Sequence, residues 1–320
     1  MRAPAFWADP PDRFSLASTA LAPAAWAYGA AHRLRWQMTK PKRAAIPVVC
    51  IGNLVAGGAG KTPTAIAVAS ALRARGGTPH FITRGYGGSA TGPLRVDPAK
   101  QFAALVGDEA LLLARVAPTW VARDRAAAAD RAVADGATVL VLDDGFQNPT
   151  LTKDVSLVVM DAFGVGNGRV LPAGPLREDV ASGLGRASAV VAIGDARTPA
   201  GVPVLAADVA ATEEARARLA GRRVVAFAGI GRPEKFFDLL RALGCTLVTK
   251  KAFPDHHVFT RADLAPLRGA SAASGAPLVT TAKDSVRLDD LTGIEVLDIE
   301  VRFRDGDALA RVLAPALRTG

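Results

Sequence analysis

The sequence predicts an α/β fold, a P-loop-containing, doubly wound, mostly parallel sheet with a second, smaller α/β domain and an N-terminal helix. Three observations predict it. Apolar, β-branched runs alternate with Ala-rich helical stretches, a glycine loop joins the first such run to a helix, and the alternation restarts after a polar, Ala-rich stretch at 212–223. These features divide the 320 residues into an N-terminal helix (1–40), a nucleotide-binding unit (41–221) and a smaller unit (222–320) that closes a cleft.

The first forty residues carry an amphipathic signal. Phe14 to His32 holds no acidic residue, Lys or Arg, and Arg33 to Arg43 is strongly basic. Pro23, the scarcity of Leu and the abundance of Ala, Ser and Gly argue against a bilayer span, and Asp9 and Asp12 argue against a secretory leader. A helix lying in the membrane interface fits better. Leu21, Trp26, Leu34 and Trp36 would enter the acyl boundary, and Arg33, Arg35, Lys40, Lys42 and Arg43 would meet anionic headgroups. A helix packed on its own domain is the alternative.

The run Ile46 to Asn53 reads as a buried strand, and the helical stretch from Thr64 ends in Gly76 and Gly77. Between them lies Val55-Ala-Gly-Gly-Ala-Gly-Lys-Thr62. In such a loop, successive backbone N–H groups and the helix N-terminus face phosphate oxygens. Gly57, Gly58, Ala59, Gly60, Lys61, Thr62 and Pro63 are the expected nucleotide contacts. Lys61 would reach the β- and γ-phosphates, and Thr62 would ligate Mg²⁺. Val55 stands where the strict pattern has its first glycine, so a glycine-rich turn with an incidental Gly-Lys-Thr remains the competing reading.

Further strands are read at His80–Thr83, Thr119–Ala122, Val139–Asp143, Ser156–Met160 and Ala189–Ile193. The fourth of these runs, counting from Val48–Gly52, ends in Asp143-Asp144-Gly145-Phe146-Gln147-Asn148. Because ligands collect at the carboxyl ends of parallel strands, Asp143 or Asp144 would hold the Mg²⁺ directly or through water. In the second unit the strand-like runs are VVAFAGI, CTLVTKK, PLVTTAKD and IEVLDIEV.

Composition narrows the class. Hydrophobic residues make up 50% of the chain and aromatics 6%, which suits an Ala-rich globular enzyme. Cys50 and Cys245 form no finger or disulfide framework. The net charge of +9 would attract any polyanion, but no interleaved basic and aromatic run points to nucleic acid, and no obligate protein partner is implied.

The glycine loop and DDGFQN occur together with TRGYGG (83–88), VGDEALLLA (106–114), LPAGPLRE (171–178), GIGRPEKFF (229–237), FPDHHVF (253–259) and TTAKD (280–284). In this order and spacing the chain resembles the tetraacyldisaccharide 4'-kinase family of lipid A biosynthesis. The resemblance implies an ATP-dependent transfer of the γ-phosphate to the 4'-hydroxyl of a tetraacylated glucosamine disaccharide 1-phosphate, giving lipid IVA, with Mg²⁺, at the cytoplasmic face of the bacterial inner membrane. The expected partners are that acylated disaccharide phosphate and anionic inner-membrane lipids. Family members similarly lack the first loop glycine.

Carried over residue by residue, the resemblance implies Asp108 and His256 as a proton-accepting dyad, with Lys61 as the third catalytic group. Asn53, Arg84, Tyr86, Gln147 and Asn148 fall on the substrate side, and Lys283 and Asp284 on the nucleotide side. Two positions depart from the family pattern: Asn148 stands for His and Ala282 for Glu. Asn148 cannot carry a proton. The alternative reading is a P-loop nucleotide-switch or metal-delivery GTPase. In TTAKD, however, the Lys directly precedes the Asp, unlike the guanine-specific Lys-x-Asp spacing. A nonenzymatic membrane-binding module is a third reading.

Overall fold

The computed structural model describes residues 4–317, so the outermost residues of the two expected terminal segments, 1–3 and 318–320, lie outside the described residues. A nine-stranded sheet contains β1 (Val48–Gly52), β2 (Pro79–Thr83), β3 (Leu94–Arg95), β4 (Thr119–Val121), β5 (Val139–Asp143), β6 (Val155–Met160), β7 (Ala189–Ile193), β8 (Val204–Ala211) and β13 (Ile299–Phe303). A four-stranded sheet contains β9 (Arg223–Ala228), β10 (Thr246–Ala252), β11 (Leu278–Thr281) and β12 (Ile294–Leu297). The helices of the first part are α1 (Leu16–Ala20), α2 (Ala22–Met38), α3 (Lys61–Arg73), α4 (Ala103–Val106), α5 (Asp108–Ala114), α6 (Arg125–Ala134) and α7 (Val180–Leu184). Those of the second are α8 (Glu213–Leu219), α9 (Pro233–Ala242), α10 (Arg261–Ser274), α11 (Ala282–Ser285) and α12 (Gly306–Leu313).

The large sheet runs β13-β8-β7-β6-β1-β5-β2-β4-β3 and is parallel except at its two edges, β13 on β8 and β3 on β4. From β1 the chain builds outward in both directions, which leaves a crevice beyond the carboxyl end of β1 and its neighbour β5. Both faces are covered. Ala65, Val68, Ala69 and Leu72 of α3 and Leu309 and Leu313 of α12 fill one side. Ala128, Ala129 and Ala132 of α6 fill the other. Strands buried on both faces are largely apolar along their length, which is why β1, β2, β5 and β6 could be read directly from sequence.

The four-stranded sheet, β10-β9-β11-β12, is entirely parallel. The stretch 222–320, expected as one unit, is divided between the two sheets. After β12 the chain leaves the small sheet, and β13 and α12 complete the large one. The polar segment 212–223 is not a linker: Thr212 caps α8, its hydroxyl accepting from the Ala215 amide.

The N-terminal segment is tied to the loop that follows β6. The buried Ser18 hydroxyl donates to Ala173 O at 2.6 Å, Trp7 Nε1 donates to Pro172 O, and Asn167 donates to Phe6 O. On α2, Ala22, Ala25, Gly29, His32 and Trp36 turn inward at helical spacing, while Trp26, Leu34 and Met38 are exposed, Trp26 by 73%. Leu21 and Trp36, expected in the acyl layer, thus face the protein, and the Arg186 guanidinium lies over the Trp36 ring at 4.2 Å. Among the described residues no helix is long and apolar enough to cross a membrane.

Candidate active site

The glycine loop lies where the sequence places it, between β1 and α3. The buried strand β1 ends at Gly52, and the chain then turns through Gly57 (φ +119°) and Gly60 (φ +89°) into α3. A side chain at either glycine would be strained in that left-handed region. Asn53 is fully buried and its Nδ2 donates to Gly57 O at 3.3 Å, so it fixes the loop from beneath. Lys61 Nζ donates to the same carbonyl at 3.4 Å and stands 3.7 Å from Asp144 Oδ1. Ala59 is buried, and Thr64 Oγ1 closes the first turn of α3 on Gly60 O.

Asp143 ends β5 beside this loop. The Thr62 hydroxyl donates to its Oδ2 at 3.0 Å, whereas Oδ1 is buried with no partner. Burial, and next the charge of Asp144, push the Asp143 carboxyl up to about 7. Burial also opposes ionisation of Asp144, but the charges of Lys61 and Arg177 outweigh it and hold this carboxyl below its ordinary value. Arg177 grips both Asp144 oxygens, at 3.0 and 3.2 Å. Thr62 and the two carboxylates form a hard, all-oxygen donor set with one buried lone oxygen, which suits Mg²⁺. Among the described residues no group of three or more His, Cys, Asp or Glu could hold a metal.

The other half of the site is assembled from distant chain segments. The loop after β2 packs backbone to backbone on the turn into α5, where a Cβ at Gly107 (φ +87°) would meet Tyr86 O at 2.6 Å. Only glycine allows that approach, and it sets Asp108, the first residue of α5, beside Tyr86. His256 Nδ1 lies 2.8 Å from Asp108 Oδ2, and Arg287 Nε lies 3.3 Å from the same oxygen. The Tyr86 ring centre is 5.5 Å from that of His256. Asp108 Oδ1 has no side-chain partner among the described residues. His256 sits at φ +57°, a conformation that costs energy for a non-glycine residue and that its surroundings must enforce.

The remaining expected residues distribute unevenly. Gln147 Nε2 is held between Asn53 O (2.8 Å) and Glu178 Oε1 (3.0 Å), while Gln147 Oε1 and Asn53 Oδ1 are buried without partners and free to accept. Arg84 is exposed. Asn148 is used locally: its Oδ1 accepts from Thr150 N and Oγ1 in a turn. Lys283 is placed at the dyad, 3.4 Å from His256 Nε2 and 2.9 Å from Glu109 Oε1. Asp284, also expected on the nucleotide side, is fully buried, with its oxygens taken up by Gly229 N, Thr281 Oγ1 and Arg287. No oxygen remains to meet a nucleotide; it anchors Arg287 instead.

Sequence reasoning missed Arg177, Glu178, Glu109, Arg125 and Arg287. The first three lie inside quoted motifs that gave no hint of their partners. Arg125 is 3% exposed, and burial lowers its basicity, with the charge of Arg84 adding to the effect. Asp161, at the end of β6, is held by Arg232 and Lys235, so the GIGRPEKFF motif clasps the small sheet to the large one.

The profile of the family described as Tetraacyldisaccharide-1-P 4'-kinase matches residues 17–318. A tetraacyldisaccharide 4'-kinase of Rhodospirillum centenum is 53% identical over 99% of this chain and 97% of its own length. One of Gluconacetobacter diazotrophicus is 51% identical, covering 97% of this chain and 96% of the relative. A solved structure, the "apo" form of LpxK from Aquifex aeolicus in complex with ATP, superposes with a TM-score of 0.78 at 24% identity, covering 94% of this chain and 99% of that one.

Proposed function

The chain belongs to the tetraacyldisaccharide 4'-kinase family, and from that premise we propose how its residues divide the work of the reaction. The enzyme transfers the γ-phosphate of ATP to the 4'-hydroxyl of a tetraacylated glucosamine disaccharide 1-phosphate, and the GTPase alternative is not supported. The triphosphate lies along the loop amides of Gly57 to Thr62, with Lys61 at the phosphoryl group that moves. Thr62, Asp143 and Asp144 would hold Mg²⁺, which would supply charge neutralisation on the phosphate oxygens. Asp108 Oδ1 takes the proton of the 4'-hydroxyl as its oxygen bonds to phosphorus, and the electron pair of the broken phosphoanhydride bond leaves with ADP. Asn53 and Gln147 support the loop from beneath, each keeping one buried oxygen without a partner.

One observation carries this division: a buried carboxylate at the start of α5, Asp108, meets a histidine of the small-sheet unit, 148 residues away, at 2.8 Å. A poor alcohol nucleophile needs such a fixed acceptor. The test is transfer of a labelled γ-phosphate from ATP to the purified acylated disaccharide in the presence of Mg²⁺. Label released only as inorganic phosphate would overturn the reading.

We further propose that the enzyme sits on the cytoplasmic face of the inner membrane through the outward face of α2. Trp26, Leu34 and Met38 on that face, with exposed Arg33, Arg35 and Lys40, combine apolar area with positive charge. Replacing Trp26, Leu34 and Met38 together by Ser is expected to lower co-sedimentation with anionic vesicles by roughly tenfold, since buried apolar area scales the affinity. An equal pelleted fraction for variant and parent would exclude this face.

A further inference from the structure

We propose that Lys283 is a positioning residue that fixes the tautomer of His256, donating to Nε2 so that the ring N–H at Nδ1 is presented to Asp108. This rests on the dyad reading above and deepens it. His256 is faced by Asp108 from α5, by Asp255, whose Oδ1 lies 3.9 Å from Nε2, by Lys283 on α11 and by the Tyr86 ring, while Glu109 meets Lys283 and Arg287 meets Asp108. Of these, Lys283 Nζ is the group at Nε2 with hydrogens to give, at 3.4 Å. An ammonium group has three donors and no acceptor. A hydrogen on Nε2 would therefore place two donors face to face, whereas a bare Nε2 accepts and leaves the hydrogen on Nδ1, 2.8 Å from Asp108 Oδ2.

The ammonium is itself held in place. Glu109 Oε1 binds it at 2.9 Å, and Asp255 Oδ1 lies 3.9 Å away. Glu109 follows Asp108 on α5, so one helix end supplies both the carboxylate that His256 addresses and the carboxylate that aims Lys283 at His256. With His256 and Arg287 both on Asp108 Oδ2, the lone pairs of Oδ1 stay directed at the acceptor hydroxyl. A ring in the other tautomer would present a lone pair to Asp108, repel it and turn it away.

The test reads the tautomer directly. In long-range proton–nitrogen spectra of ¹⁵N-histidine-labelled enzyme, with the His256 signals assigned by their loss in His256→Gln, the parent is expected to show Nδ1 protonated and Nε2 bare. Lys283→Met should lose that single pattern and drop kcat by about tenfold, a mild form of the loss that a wrongly held tautomer causes. Its KM for ATP should move less than about twofold and Lys283→Arg should recover most of the rate, because a donor again faces Nε2. If Lys283→Met leaves Glu109 unpaired and fails to fold, Glu109→Gln/Lys283→Met removes both charges and should give the same spectral change, while Glu109→Gln alone keeps the parent tautomer. An unchanged His256 spectrum in the Met variants, or a weakened ATP affinity with kcat intact, overturns the proposal. Full activity of Asp108→Ala would instead overturn the dyad reading, and the spectrum tells the two failures apart.

Discussion

Asp108→Ala is expected to slow phosphoryl transfer by about 10²–10⁴-fold, the usual worth of a positioned general base. The loose transition state of phosphoryl transfer, in which the nucleophile's proton is lost late, argues for the lower half of that range. ATP binding should change little, because Asp108 belongs to α5 and contacts His256 and Arg287 rather than the glycine loop. The alanine variant also strips Arg287, which is 6% exposed, of one carboxylate partner, although Asp284 remains beside it. Asp108→Asn keeps that volume and should lose the rate with less effect on stability. Single-turnover transfer to the acylated disaccharide, measured beside equilibrium ATP binding, separates the two effects. A chemical step within threefold of the parent for both variants would remove Asp108 from the proton path.

The two halves of this site were not equally legible in the sequence. The phosphate loop could be read because everything that makes it is local. A strand buried on both faces, glycines that tolerate positive φ, and a helix start all fall within 26 residues, Val48 to Arg73. Asp143 and Asp144 were legible for the same reason, since their strand is apolar from end to end. Asp108 and His256 were different. Nothing in VGDEALLLA or FPDHHVF is periodic with respect to the other, and their pairing came from family resemblance, not from the residues themselves. Arg177, which clamps Asp144 from 33 positions away, and Arg287, which braces Asp108, carry no local signal because an arginine that ends in an ion pair looks like any surface arginine until the chain is folded.

The fold shows the same division. β8 reads VLAADVAA, a mixed pattern that does not stand out as a buried strand, and the run IEVLDIEV, read as one strand of the second unit, divides into β12 and the start of β13. The antiparallel pairing of β8 with β13 is a contact between residues about ninety positions apart, so the return of the C-terminal segment to the first sheet was invisible to a pattern read window by window. Asp284 is the converse case. The family motif places it on the nucleotide side, whereas in the fold its carboxylate accepts from Gly229 N, Thr281 and Arg287, contacts that only the tertiary structure reveals.

Lys61→Ala is expected to lower kcat/KM by about 10²–10³-fold, the loss typical when one preorganised charge is removed from a site where negative charge shifts in the transition state. The effect should fall more on kcat than on ATP affinity, because the loop amides and the N-terminus of α3 still receive the phosphates while nothing else replaces the ammonium at the group that moves. Lys61 also acts on its neighbours. Its charge is the first influence opposing burial at Asp144, so the alanine variant leaves Arg177, with a smaller contribution from Arg125, to keep that carboxylate ionised beside Asp143. The variant should therefore need more Mg²⁺ for half-maximal rate, a shift that simple loss of a phosphate contact would not produce. Lys61→Arg should not restore the rate: a planar fork cannot sit where a compact ammonium reaches both Gly57 O and Asp144. Titrating rate against Mg²⁺ at saturating ATP for the parent and both variants measures the two effects together. If Lys61→Ala phosphorylates the lipid acceptor at the parental rate, the loop is a turn in the fold and not the cradle of the transferred phosphate.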